Sequence, residues 1–242
     1  MSNNKKLRYP LCVSLGPGDA ELITLKTYHA LQDSNIIYCP FTQVGEKILS
    51  RAKDILNQLG IENDKIKLFN IPMNKNRTFA EKVYDIIAEE ISEKYRLGLK
   101  VSFVAEGDVG FYSSVQYILD RLESKGIPVE RIAGVPAFLA CGAYAGIHVV
   151  KQDERLSVFP SNISVEEIKE QLKMNNSIVL MKLSQQQEQI KQAVNLITDA
   201  EFHYFENIGI TKKEFYTCDI KLISDRQFPY FSIMIIKKKE KI

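Results

Sequence analysis

Between Val13 and Leu25 the chain reads VSLGPGDAELITL, and no other stretch limits the fold as much. Residues 11–15 form an apolar run with the length of a buried strand. The run breaks at Gly16-Pro17-Gly18, and a helix is predicted from Asp19, a residue type suited to capping a helix N-terminus. Glycine lets main-chain N–H groups come close to a ligand. Strand, tight turn and helix start thus meet at one point, the arrangement that makes ligand crevices beyond the carboxyl ends of strands in open α/β sheets.

The turn also excludes two chemistries. A dinucleotide fingerprint needs a third glycine where this chain has Glu21, and a Walker loop needs Gly-Lys-Ser/Thr, which occurs nowhere. Asp19 and Glu21 put negative charge where a phosphate would sit, which suits a neutral or cationic ligand. The balance of 32 basic against 30 acidic residues gives +2 and argues against a general nucleic-acid partner. The dense charge run at residues 237–241 reads as a solvated tail. No apolar stretch approaches the ~20 residues of a membrane span. No signal-type segment follows the first residues, so a cytoplasmic protein is expected. Cys12, Cys39, Cys141 and Cys218 are widely spaced, as are His29, His148 and His203, so the expectation is reduced thiols and no metal site.

Periodicity predicts an α/β half followed by an α+β half. Strands are expected at residues 11–15, 35–39 (ended by Pro40), 65–71, 100–105 and 129–132. Helices are expected at 46–59, 78–95, 111–122 and 136–145, with Phe79, Val83, Ile86, Ile87 and Ile91 on one face of the second. Such alternation argues for a mostly parallel sheet with helices on both faces. The second half shows five strands, at 156–159, 177–183, 201–205, 214–219 and 230–237, and helices at 165–174 and 185–197. A polar break at residues 151–155 suggests domains of 1–150 and 151–242.

Two further glycine turns follow predicted strands, Glu106-Gly107-Asp108-Val109-Gly110-Phe111-Tyr112-Ser113 and Gly134-Val135-Pro136-Ala137-Phe138. Loops that follow parallel strands lie on one sheet edge, so three of them make a pocket. Asp108 is placed to meet a positive or hydroxyl-bearing group, and the main chain of Gly107, Gly110 and Gly134 can read a nucleoside. Pro136 belongs in a helix's first turn, where its missing N–H costs little.

On these motifs the chain resembles the tetrapyrrole methylases. Their first signature corresponds to Gly16-Pro17-Gly18-Asp19 with Leu22, Thr24, Leu25 and Lys26. The second corresponds to Gly107-Asp108 with Phe111-Tyr112-Ser113, and the third to Gly134-Val135-Pro136-Ala137. Within the family, Tyr38-Cys39-Pro40, Ile71-Pro72-Met73, the Ala105 to Asp108 approach, residues 179–182, 205–209 and 230–232 are most similar to enzymes that methylate carbon 20 of precorrin-2 or its cobalt counterpart. Alternatives are another ring position (carbon 11 or 17, or uroporphyrinogen III) and a non-catalytic binder of the same cofactor.

The resemblance implies a two-domain tetrapyrrole methylase fold, a homodimer, and S-adenosyl-L-methionine as cofactor, leaving S-adenosyl-L-homocysteine, held between the domains. It implies cofactor contacts at Pro17, Gly107, Asp108, Phe111, Pro136, Ala137, Met181 and Gly209. The many carboxylates of a tetrapyrrole call for basic partners, for which Lys26, Arg77 and Lys182 are candidates, with Tyr112 as a further contact. No catalytic triad is expected, because an electron-rich carbon nucleophile needs little beyond orientation. The chain departs from the family at Val109 and Ala133, where prolines are usual, and more mobile turns are expected there.

Overall fold

A computed structural model describes residues 8–44, 47–71 and 77–239. Contacts divide the chain into two compact units, Met1–Pro136 and Ala137–Ile242. The division falls before the helix at residues 137–145, ahead of the polar break read from the sequence.

In the first unit the strands are β1 (Leu11–Ser14), β2 (Ile36–Val44), β3 (Lys47–Leu49), β4 (Ile66–Asn70), β5 (Val101–Ala105) and β6 (Glu130–Ile132). Its helices are α1 (Leu25–Asp33), α2 (Arg51–Gln58), α3 (Arg77–Arg96) and α4 (Gln116–Ser124). β1 lies between β5 and β6, β2 lies beyond β5, and β4 pairs with the far side of β2, all parallel. Successive strand residues point to opposite faces. One face carries Val13, Ile37, Cys39, Val104 and Ile132 against Leu31 of α1 and Ala52, Ile55 and Leu56 of α2. The other carries Cys12, Tyr38, Phe103 and Ala105 against Tyr84, Ile87, Ala88 and Ile91 of α3 and Ile118, Leu119 and Leu122 of α4. The expected parallel sheet with helices on both faces is therefore present.

Several boundaries differ from the sequence reading. β2 does not stop at Pro40 but runs to Val44 and turns back antiparallel onto β3. Pairing with β5 ends at Tyr38, so the N–H that Pro40 lacks breaks no ladder on that side. The expected helix over 46–59 splits as a result. Residues 47–49 are strand and the helix starts at Arg51, capped by Ser50. Glu46 lies outside the described residues, as do Pro72 and Met73. Phe79 and Ile86 are exposed, because the buried face of α3 is set by Tyr84, Ile87, Ala88 and Ile91, spaced three and four apart.

The second unit contains α5 (Ala137–Ala145), β7 (Arg155–Phe159), α6 (Val165–Lys173), β8 (Asn176–Met181), α7 (Gln187–Leu196), β9 (Ala200–Glu206), β10 (Phe215–Thr217), α8 (Ile220–Asp225) and β11 (Ser232–Lys238). The sheet order is β10-β9-β11-β8-β7, antiparallel except for β7 beside β8. Ile178, Leu180, Phe202, Tyr204, Met234 and Ile236 pack on the face covered by α6, α7 and α8. α8 had no periodic signature in the sequence; Asp219 starts it by accepting from the amides of Lys221 and Leu222. Lys237 is not part of a solvated tail. It is a buried residue of β11, with its ammonium 2.5 Å from Glu154 and reaching the Val149 carbonyl. Residues 240–242 lie outside the described residues. Among the described residues no helix is long and apolar enough to cross a membrane.

One side chain joins three segments at the carboxyl end of β1. The fully buried Ser14 hydroxyl donates to the Ile132 carbonyl (2.7 Å) and accepts from the Val109 amide (2.9 Å). Ser14→Ala leaves both groups without that partner and is expected to cost about 2 kcal/mol of unfolding free energy. Urea denaturation of native and variant protein checks this, and equal stability would contradict it.

Candidate active site

The three glycine turns share one edge. Turn 1 follows β1, turn 2 follows β5 and turn 3 follows β6, and β1 stands between the other two strands, parallel to both. From β1 the chain leaves for the face of α1, and from β5 for the face of α4. Neighbouring strands whose connections depart to opposite faces open a crevice at their carboxyl ends.

Main-chain and side-chain hydrogen bonds then fix the turns to one another. Gly16 and Gly107 exchange two bonds, with their amides 3.1 and 2.7 Å from the opposite carbonyls. Asp108 spends both carboxylate oxygens on amides, one from Gly110 (2.8 Å) and one from Gly134 (2.7 Å). It ties turn 2 to turn 3. A Cβ at Gly134 would stand 2.4 Å from the Ser14 Cβ, so only glycine allows this approach. Gly107 has φ +70°, and a Cβ there would meet nothing within 4 Å, which leaves bare main chain facing open space.

Val109 replaces the rigidity of a proline by another route. Its side chain is buried in the core against α3 and α4, and its N–H, which a proline lacks, bonds Ser14. The residues after it differ from expectation. Residues 111–115 are not helical, and α4 begins at Gln116. Phe111 and Tyr112 instead form an edge-to-face pair 4.8 Å apart, with the exposed Tyr112 in the left-handed region at φ +49°. Turn 1 is likewise no direct helix start. Asp19 caps a single 3-10 turn through the Glu21 amide, and Thr24 caps α1.

Pro17 is buried, and its carbonyl accepts from Arg51 at 3.2 Å. Pro136 ends the first unit. Lys26 does not join the turns: its ammonium lies 2.6 Å from Glu130, the first residue of β6, toward the opposite edge. Arg77 opens α3. Arg51 and Ser14 are the residues that sequence reasoning missed. Arg51 falls inside the stretch expected as a helix over 46–59 and Ser14 inside the apolar run at 11–15, and neither belongs to a motif that singles it out.

In the second unit Ala137 opens α5. Met181 and Phe205 both pair with Ile233 of β11, so the carboxyl ends of β8 and β9 lie at one edge. Met181 is partly buried and alternates with Leu180, so it points away from the face covered by α6, α7 and α8. Three left-handed residues follow these strand ends: Lys182 (φ +56°), Asn207 (φ +50°) and Gly209 (φ +88°). The Gly209 amide donates to Glu214 (3.0 Å) and that of Asn207 to the Phe231 carbonyl (2.9 Å). Left-handed geometry at residues other than glycine is costly and concentrates at ligand sites.

The thiols take no part in this edge. Burial pushes Cys12, Cys39 and Cys141 up to about 12, so they stay protonated at neutral pH. Among the described residues no group of three His, Cys, Asp or Glu side chains is arranged to hold a metal.

Comparison with known proteins agrees with this architecture. The family profile of the Tetrapyrrole (Corrin/Porphyrin) Methylases matches residues 11–223. A precorrin-2 C(20)-methyltransferase of Sinorhizobium sp. is 29% identical over 75% of this chain and 76% of its own. A probable cobalt-precorrin-2 C(20)-methyltransferase of Methanocaldococcus jannaschii is 26% identical over 79% and 80%. The solved uroporphyrin-III C-methyl transferase of Thermus thermophilus, complexed with S-adenosylhomocysteine, superposes with a TM-score of 0.65 at 14% identity, covering 95% of this chain and 97% of that one. A profile match over most of the length, on a sheet edge carrying all three glycine turns, establishes that the chain belongs to the tetrapyrrole methylases.

Proposed function

We propose that the chain methylates carbon 20 of precorrin-2 or of its cobalt-bearing counterpart, with S-adenosylmethionine as methyl donor. The observation that carries the ring position is the match over about three-quarters of the chain to two C(20)-methyltransferases. The donor is supported by the chemistry of the turns. Gly107 lacks a side chain and faces open space, which gives a nucleoside room to approach. Its amide and carbonyl are taken by Gly16, and the Gly110 and Gly134 amides by Asp108, so these groups supply shape and not the free donors expected from the sequence. The side chains around turns 1 and 2 include Asp19, Glu21, Glu106 and Asp108, a set that favours a cation over a phosphate.

In this reading Pro17, Gly107, Asp108, Phe111 and Pro136 hold the donor from the first unit. The family resemblance assigns the same part to Ala137, Met181 and Gly209. When bound, S-adenosylmethionine supplies an electrophilic methyl group on a sulfonium. The protein's own contribution is orientation and exclusion of water, and orientation alone is worth up to ~7–11 kcal/mol of a barrier. A reduced tetrapyrrole presents an electron-rich meso carbon, so no side chain is required to take a proton at attack. Lys182 and Tyr112, both left-handed at strand or turn ends, are candidate substrate contacts. Lys26 would have to leave Glu130 to serve.

Purified protein incubated with S-adenosylmethionine and precorrin-2 is expected to add one methyl, at carbon 20, followed by product mass and NMR. A methyl at another carbon overturns the ring position. Donor binding without transfer indicates a non-catalytic relative, and no donor binding overturns the reading as a whole. Asp108→Ala releases the Gly110 and Gly134 amides and is expected to weaken S-adenosylhomocysteine binding by about 2 kcal/mol, roughly thirtyfold. Titration calorimetry checks it, and unchanged affinity would remove Asp108 from the site.

A further inference from the structure

Arg51 occupies a position that its place in the sequence does not suggest. Ser50 anchors the start of α2 on β2: its hydroxyl donates to the Pro40 carbonyl (2.6 Å) and accepts from the Lys53 amide (3.0 Å). The next residue, Arg51, therefore projects over the carboxyl edge of the sheet. Its side chain is only 14% exposed. One terminal nitrogen donates to the Pro17 carbonyl (3.2 Å) in turn 1, and its Nε lies 3.9 Å from a carboxylate oxygen of Glu106, which opens turn 2. One guanidinium thus donates to turn 1 and lies within ion-pair range of turn 2, on the two sides of the Gly16–Gly107 bridge.

We propose that Arg51, with Glu106 as its counter-ion, is the positioning residue that clamps turn 1 to turn 2 and so shapes the donor-binding edge. This inference rests on the assignment of that edge to S-adenosylmethionine. Three physical points support it. Pro17 and Gly18 bring no side-chain hydrogen bond of their own, so an outside donor is what secures the Pro17 carbonyl. A planar guanidinium can address a carbonyl and a carboxylate at once, which an ammonium cannot do as well. Burial lowers Arg51 and raises Glu106, and each charge pulls the other back toward its ionised form. Asp54 of α2 also faces the pair, and it favours the charged arginine while disfavouring a second carboxylate. The Ala52 amide helps hold the Glu106 carboxylate.

The test uses the full chain. Amide hydrogen exchange of the free protein is compared among native, Arg51→Met, Arg51→Lys and Glu106→Gln forms. Amides at Gly16, 18–22 and 107–111 are expected to exchange about tenfold faster in Arg51→Met, while those of β1 and β5 keep their protection. Arg51→Lys is expected to fall between, because one ammonium replaces the fork. In parallel, Arg51→Met is expected to weaken S-adenosylhomocysteine binding about tenfold and to raise the donor KM with kcat within about twofold. Equal turn protection in native and Arg51→Met overturns the clamp. So does an affinity loss that follows the fall in melting temperature across all three variants. Glu106→Gln keeps the shape and removes the charge, so it judges the ion pair should Arg51→Met fail to fold. Native protein that binds no S-adenosylhomocysteine would overturn the donor assignment instead, while the exchange measurement still decides the clamp.

Discussion

Ser14 and Asp108 make the hydrogen bonds on which the rest of the edge depends. Three parallel strands end side by side, and beyond them backbone pairing continues between turns 1 and 2 at the Gly16–Gly107 bridge. Ser14 reaches from β1 to the carbonyl that ends β6 and to an amide of the turn after β5. Asp108 then binds amides in turns 2 and 3. Both side chains bind neighbouring backbone, where a charged or buried acceptor is worth more than in water, and the Asp108 carboxylate keeps lone pairs beyond the two these amides use. The turns become a single fixed surface, and Gly107 is left as its bare part. Preorganisation of this kind is what an orientation-driven reaction requires.

The charge distribution follows from the same arrangement. Acidic residues sit in turns 1 and 2, and the arginine among them is committed to Glu106 and to a carbonyl. Net negative charge there would repel an anion and attract a sulfonium. Departure from the family's proline at position 109 belongs to this picture. Proline restrains a turn through its ring, whereas Val109 restrains it through a buried side chain and an N–H that Ser14 accepts.

Much of this was legible in the residues because the signals are local. An apolar run, a glycine turn and a cap lie within a dozen positions of each other, so β1, β5 and β6 and their turns were readable one at a time. The failures also have physical causes. Residues 46–59 carry apolar residues at helical spacing, yet the pairing of Thr42 with Leu49 draws 47–49 into a hairpin. Residues 111–115 continue the apolar spacing of α4, but Tyr112 adopts a left-handed backbone that no helix accepts. Lys237 reads as one of a row of tail charges, and only Glu154, far away in sequence, shows that it is buried. In each case a partner distant along the chain outweighed the local preference.

What the sequence alone determined is the class of the fold, the three glycine turns and the kind of charge they prefer, since each follows from neighbouring residues and from backbone freedom. Tertiary structure decided which turns stand side by side, that Asp108 binds amides of two turns, that Val109 has its own restraint, and that Arg51 belongs to the edge. These depend on strand order and on the direction in which each helix leaves the sheet. Contacts of that kind join residues tens of positions apart, and no local spacing encodes them.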